Sequence, residues 1–352
     1  MKDLLPDEGK RRPPIEMDAV AFRKAGHQLI DDIADFLTSL RDYPVTTAPT
    51  PGLLKAKLPK SIPLTGADPA ALIKETWQLL ANNSLLNGHP RFWGYITSSP
   101  APLGMLGDLL AAAVNSNCGA FVLSPLATEI EKQTVQWLGE LIGYPAGDGI
   151  MVSGGNMANF VGFLVARKAK ATWDIRKEGL QPARGSWRVY ASEETHTWVH
   201  KAVDLFGLGL DAIRWIPVDA DQRMDVSLLE KAITEDKKAG LKAFFVTATA
   251  GSVGTGAVDA FRNISALCKQ HDCWFHIDGA YGGFAAALPE LEDLFQGIEL
   301  ADSIAIDPHK WLYSPLEAGC TLIKDAKLLT DTFSFHPAYY NFEGEEEPQT
   351  NF

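Results

Sequence analysis

The chain has 352 residues and carries 32 Lys and Arg against 44 Asp and Glu, a net charge of −12. With 46 % apolar and 22 % charged residues it has the composition of a soluble globular protein, and its length suggests about two domains rather than a disordered or fibrous chain. The acidic balance argues against a nucleic-acid or anionic-membrane partner, which needs clustered positive charge, and four cysteines without a CxxC pair point to a reducing, cytoplasmic compartment.

Residues 1–16 read as a flexible N-terminus. Charges and prolines fill Met1–Ile15, and no apolar core of a signal peptide is present. No run of 18 apolar residues occurs, since Asp108 interrupts the longest stretch, so a membrane span is not expected. A helical arm is predicted over 17–85. Asp18 is a helix N-cap, and Phe22, Ala25, Leu29, Ile33, Phe36 and Leu40 follow at helical steps of three and four. Pro44, Pro49, Pro51, Pro59 and Pro63 predict an extended connector. Asp68-Pro69 then opens a second helix, expected to bury Leu72, Ile73, Trp77 and Leu80. Two helices and a proline-rich link enclose no core of their own, so the arm is expected to pack on something else, such as a partner subunit.

A larger domain is predicted over 86–330. Helical patterns at 103–116 and 125–143 lead into an alternation of short apolar strands and helices. The strands are expected at Gly149–Val152, Arg188–Ala191, Arg214–Val218, Ala243–Thr247, Cys273–Ile277, Ser303–Ile306 and Cys320–Ile323. Between them, helices are expected at Met157–Thr172, Val226–Lys238 and Asp259–Gln270. Near-continuous apolar strands separated by helices imply an α/β fold, a mainly parallel sheet with helices on both faces. Ligands of such sheets bind at the carboxyl ends of the strands.

Three segments at those ends can carry chemistry. Ser153-Gly154-Gly155-Asn156-Met157-Ala158-Asn159 joins a strand to a helix, where glycine permits close approach and the helix start favours an anion. His276-Ile277-Asp278-Gly279-Ala280-Tyr281 places a carboxylate at the end of a buried strand, where it needs a cationic partner, or acts as a cap. His276 and Asp278 share a strand face and leave a metal site open as an alternative, although no third ligand stands at metal spacing. Asp307-Pro308-His309-Lys310-Trp311 puts a lysine after another strand, a position suited to Schiff-base chemistry. An anion cradle, a carboxylate and a lysine are together the contacts that pyridoxal 5'-phosphate requires.

The chain resembles the group II pyridoxal-phosphate-dependent amino-acid decarboxylases, the family of the aromatic-L-amino-acid decarboxylases. The resemblance rests on motifs in the same order: His89-Pro90-Arg91-Phe92-Trp93-Gly94-Tyr95, Ser124-Pro125-Leu126-Ala127-Thr128-Glu129-Ile130-Glu131, Ser153-Gly154-Gly155-Asn156, His196, the segment from His276 to Tyr281, and the segment from Asp307 to Trp311. It implies a pyridoxal-phosphate-dependent transferase type I fold, like that of aspartate aminotransferase, with an N-terminal helical arm. It also implies a homodimer with the active site at the interface, the arm exchanged, and a small-molecule amino-acid substrate.

The resemblance further implies roles. Lys310 would form the covalent link to the cofactor, Asp278 would pair with the ring nitrogen and His196 would stack on the ring. Gly155 and Asn156 would hold the phosphate, with Ser252 and His309 as further contacts. Asp307 stands where the family has a polar cofactor contact, often Asn; its charge near the phosphate is unfavourable unless turned away or paired. Tyr95, Ser98 and His196 would face the substrate, and Tyr339 would be the general acid of a mobile loop. A tyrosine there favours simple decarboxylation over oxidative aldehyde formation, which remains an alternative together with transamination. Asn117, Cys118 and Gly119 stand where aromatic-specific relatives carry bulkier side chains, a departure that can widen the pocket. Residues 331–352 are expected to hold the catalytic loop and the start of a C-terminal domain cut short. A fragment that binds cofactor without turnover, and a metal hydrolase, are the readings from other classes.

Overall fold

The computed structural model describes residues 16–181 and 186–335. The chain forms two units that divide between Tyr95 and Ile96.

In the first unit, α1 (Ala19–Ser39) begins where the Asp18 carboxylate accepts the N–H groups of Val20 and Ala21 at 3.0 and 2.8 Å. The third helix, α3 (Pro69–Asn83), starts as expected, with Asp68 accepting the Ala71 N–H at 2.9 Å and Pro69 in the first turn. The two helices meet through Phe36, whose ring stands edge-on to Trp77 at 5.3 Å. Two expectations need correction. Ile73 and Trp77 are half-buried against this neighbour, but Leu72 and Leu80 are 54 % and 58 % exposed. One partner helix covers a single stripe, and Leu72 and Leu80 lie beyond its edge. The connector is also not wholly extended. It holds α2 (Pro51–Ala56), capped by the Thr50 hydroxyl, which accepts the Leu53 N–H at 3.4 Å. Thr-Pro is itself a cap-and-first-turn signal, which proline read only as punctuation hides. The first unit runs past the expected boundary at 85, since the Leu86 N–H binds the Val45 carbonyl at 2.9 Å and ties the following turns to the arm.

The second unit opens with α4 (Pro102–Val114) and α5 (Pro125–Leu141). All seven expected strands are present: β1 (Asp148–Val152), β2 (Trp187–Ser192), β3 (Ile213–Ile216), β4 (Lys242–Thr249), β5 (Trp274–Gly279), β6 (Ser303–Ile306) and β7 (Gly319–Ile323). They form one sheet in the order β1-β7-β6-β5-β4-β2-β3. The pairs among β2 to β6 are parallel, and β7 runs antiparallel to both β6 and β1. Between the strands lie α6 (Gly155–Lys170), α7 (Ile175–Glu178), α8 (Trp198–Leu205), α9 (Val226–Lys238), α10 (Phe261–His271) and α11 (Pro308–Trp311), with α12 (Ala326–Phe333) after the last strand.

Strand side chains alternate between two apolar clusters. Tyr190, Val246, Phe275, Ile277 and Ile304 join Leu229 and Ile233 of α9 and Phe261 and Ile264 of α10. Val189, Ala191, Phe245 and Trp274 join Phe163 of α6 and Trp198 and Val199 of α8. Because both sides of the strands are covered, their sequences are apolar without a polar alternate. This is the α/β architecture expected from the sequence.

Candidate active site

Parallel strands point their carboxyl ends the same way, and the loops leaving β1, β2, β4, β5 and β6 surround one cavity of about 310 Å³. The first wall is the turn from β1 into α6. Gly154 sits at φ +101°, a left-handed conformation that L side chains rarely adopt. A Cβ on Gly155 would fall 2.6 Å from Asp307 Oδ2 and 3.0 Å from the Ala280 Cβ, so a side chain there would have to displace Asp307. No side chain caps the start of α6, which leaves its first-turn N–H groups directed at the cavity with the positive end of the helix dipole. Gly155 and Asn156 both line it.

Facing this cradle, Asp278 is the penultimate residue of β5, 6 % exposed, its Oδ1 accepting the Ala280 N–H at 3.1 Å. The register sets Asp278 beside Thr249 of β4 and Ala305 of β6, in the middle of the sheet. From β6 the chain passes through Asp307 into the short helix α11, which carries His309 and Lys310 into the cavity. Lys310 Nζ lies 2.7 Å from Asp307 Oδ2, and His309 Nε2 lies 3.8 Å from the same oxygen. His309 Nδ1 accepts the Ala318 N–H at 3.0 Å, which fixes the ring, and the His309 carbonyl accepts the Ser98 hydroxyl at 3.1 Å. His196 follows β2, and its Nδ1 accepts the Trp198 N–H at 3.3 Å. Burial lowers its pKa, more than the nearby Asp278 raises it, so the imidazole is neutral at pH 7 and presents a flat uncharged ring. Ser252, in the loop after β4, exchanges a hydrogen bond with Thr255 at 2.7 Å.

Behind these residues runs a buried polar chain that sequence reasoning did not find. Trp274 Nε1 donates to Ser303 Oγ at 2.8 Å, and Ser303 Oγ lies 2.7 Å from His276 Nδ1. His276 Nε2 lies 2.7 Å from Asn159 Oδ1, and Asn159 Nδ2 donates to the Gly155 carbonyl at 2.8 Å. The protons follow from these partners. Asn159 Oδ1 has only lone pairs to offer, so His276 Nε2 carries the hydrogen, and Nδ1 accepts from the Ser303 hydroxyl. Complete burial holds His276 neutral, its pKa pushed down to about 3. The chain ties the strand bearing Asp278 to the first turn of the cradle. It also removes the metal alternative at His276, since both ring nitrogens are already bonded. The readable signal was Asn159, one helical turn after Gly155. Ser303→Ala strands the Trp274 N–H and the His276 lone pair together, and should lower stability in denaturant unfolding by about 2 kcal/mol.

Eight residues singled out from sequence line this cavity: Gly155, Asn156, His196, Ser252, Asp278, Asp307, His309 and Lys310. Asp307 is paired, as its charge requires, with Lys310. Ser98 reaches the back of α11 through its hydroxyl. Tyr95 belongs to the first unit, 85 % exposed and at φ +60°. Tyr339 lies outside the described residues. Tyr281, from the His276–Tyr281 segment, also lines the cavity; Glu194, Thr249 and Glu317 line it too and were not anticipated, because nothing in their local pattern sets them apart. The residues present fit pyridoxal phosphate: a cradle that one Cβ would fill, a buried carboxylate at a strand end and an amine in the same cavity.

The pyridoxal-dependent decarboxylase conserved domain matches residues 51–347. The chain is 35 % identical over 337 residues to an aromatic-L-amino-acid decarboxylase of Bacillus atrophaeus, covering 94 % of this chain and 68 % of that protein. It is 31 % identical to a phenylacetaldehyde synthase of Petunia hybrida, covering 91 % of this chain and 64 % of that one. Its fold superimposes on the crystal structure of Oryza sativa TDC with PLP and tryptamine at a TM-score of 0.86 and 30 % identity, over 94 % of this chain and 69 % of that one. The chain thus spans about two thirds of these relatives' lengths. With the domain match covering most of the sequence, the chain belongs to the pyridoxal-dependent decarboxylase family.

Proposed function

We propose that this protein binds pyridoxal phosphate through Lys310 and decarboxylates an L-amino acid, an aromatic one first, to the amine and CO2. The observation that carries this reading is the meeting of the α6 cradle, Asp278 and Lys310 in one cavity. The bound cofactor supplies an electron sink for the pair left behind when a carboxylate departs. The rest falls to the chain. The N–H groups of the α6 turn would hold the phosphate, and the Asp278 carboxylate would favour a proton on the ring nitrogen. The neutral His196 ring covers a flat partner without adding charge. Lys310 would provide the amine that holds the cofactor in the cavity. Tyr95 and Ser98 are assigned to the substrate side, and Tyr339 to the proton that replaces CO2.

The aromatic substrate class is supported by the decarboxylase of Bacillus atrophaeus and by the tryptamine in the rice structure. The petunia relative favours aldehyde formation as the second reading. Incubating the protein with pyridoxal phosphate and a panel of L-amino acids separates them. Equal CO2 and amine are expected, with aromatic acids turned over fastest. Aldehyde with hydrogen peroxide would support the second reading, and cofactor capture with no turnover of any acid would overturn both.

The same reading includes a homodimer. On α4, Leu103, Leu106, Leu109, Leu110 and Val114 are 52–80 % exposed, an apolar surface of the kind that a subunit contact covers. Sedimentation equilibrium should give twice the 38.3 kDa chain mass. A cytoplasmic location is proposed on the four free thiols, three of them buried. No helix among the described residues is long and apolar enough to cross a membrane.

A further inference from the structure

Asp307 is a carboxylate in an unexpected place, and its surroundings give it a role that rests on the cofactor reading above. It is 1 % exposed, and its Oδ1 has no hydrogen-bond partner among the described residues. Its Oδ2 holds Lys310 Nζ at 2.7 Å and approaches the backbone of Gly155 so closely that a Cβ there would lie 2.6 Å away. One carboxylate therefore pairs with one half of the capture machinery, the amine that must attack an aldehyde, and stands beside the other, the turn that must receive a phosphate. It works against each. An ion-paired lysine has no free lone pair, so it is not a nucleophile until it gives up a proton. A carboxylate buried beside an anion cradle repels the anion, and burial weakens the screening that would hide this at a surface. The other charged or titratable groups around it include His309, 3.8 Å from Oδ2, the buried Cys320 thiol, and Asp278, His196, Glu194, Tyr281 and Glu317 on the walls of the same cavity. Burial, the larger effect, raises the pKa of Asp307, and the pairing with Lys310 opposes that rise and favours the charged form.

We propose that Asp307 restrains cofactor capture, holding Lys310 as a paired ammonium in the cofactor-free protein and opposing phosphate at the α6 turn. Capture then requires the pair to open. The ammonium loses a proton to water, its nitrogen forms a bond to the aldehyde carbon, and the aldehyde oxygen leaves as water. Asp307 is a positioning residue for Lys310, and its removal should speed capture rather than slow it, a direction that structural damage does not produce.

The test uses cofactor-free wild type, Asp307→Asn and Asp307→Ser, each checked for a folded circular-dichroism spectrum. Capture is followed as the cofactor absorbance change and as borohydride-fixed label on Lys310. Asp307→Asn should capture pyridoxal phosphate about tenfold faster than wild type. With pyridoxal, which lacks the phosphate, the gain should be smaller, because only the lysine half of the restraint is relieved. Inorganic phosphate should compete more strongly in the variant. Equal or slower capture by both folded variants would overturn the restraint while leaving the cofactor reading intact. Failure of wild type to capture any pyridoxal phosphate would overturn the cofactor reading beneath it.

Discussion

Lys310→Ala is expected to abolish covalent capture of pyridoxal phosphate and to reduce turnover at least about 10³-fold, as loss of an attacking group does. Two consequences separate the chemistry from the fold. Alanine leaves Asp307 as a buried charge without its partner, which costs about 3 kcal/mol unless the carboxyl takes up a proton. Lys310→Arg keeps a cation in reach of Asp307 but supplies no amine nucleophile. Arginine should therefore recover much of the stability lost in the alanine variant and none of the covalent label. The measurements are thermal unfolding and borohydride-fixed cofactor, taken on the same samples. A fixed label surviving in either variant would place the attachment on another lysine and remove Lys310 from its role.

Asp278→Asn is expected to retain the fold and the label while lowering kcat by about 10²- to 10³-fold. The asparagine oxygen can still accept the Ala280 N–H that Asp278 accepts at 3.1 Å, so the end of β5 keeps its local geometry. What disappears is the negative charge proposed to keep the cofactor's ring nitrogen protonated, and with it the electron-accepting power that this charge would supply. The loss should appear in kcat, measured under saturating cofactor, with a change in the cofactor's absorbance spectrum. A variant with the wild-type kcat and spectrum would show that Asp278 is a strand-end cap and no more.

These two residues, together with Gly155, were readable from the chain because each follows a short apolar strand, and strand ends in such a sheet converge. The seven strands were readable for a related reason. Burial on both faces leaves almost no polar alternate, so Ala243–Thr247 or Ser303–Ile306 stands out against its neighbours. The caps Asp18 and Asp68 are local chemistry, a side-chain oxygen meeting an N–H two or three residues on, and local chemistry needs only local sequence.

Contacts over long separations were a different matter. For His276 the sequence left a metal site only as an alternative, and the fold closes it by bringing Asn159, 117 residues away, to one ring nitrogen and Ser303 to the other. Leu72 and Leu80 have the helical spacing of buried residues, yet spacing defines a face without saying how much of it a neighbour covers. Asp307 and Lys310 are three residues apart and plain to see together, but not the burial that makes their pairing matter, nor the closeness of that carboxylate to Gly155. Periodicity, caps and strand ends are written along the chain because they depend on a few neighbouring residues. Which polar groups meet, and which charges are removed from water, depends on segments far apart in sequence whose approach is set by the packing of the whole sheet.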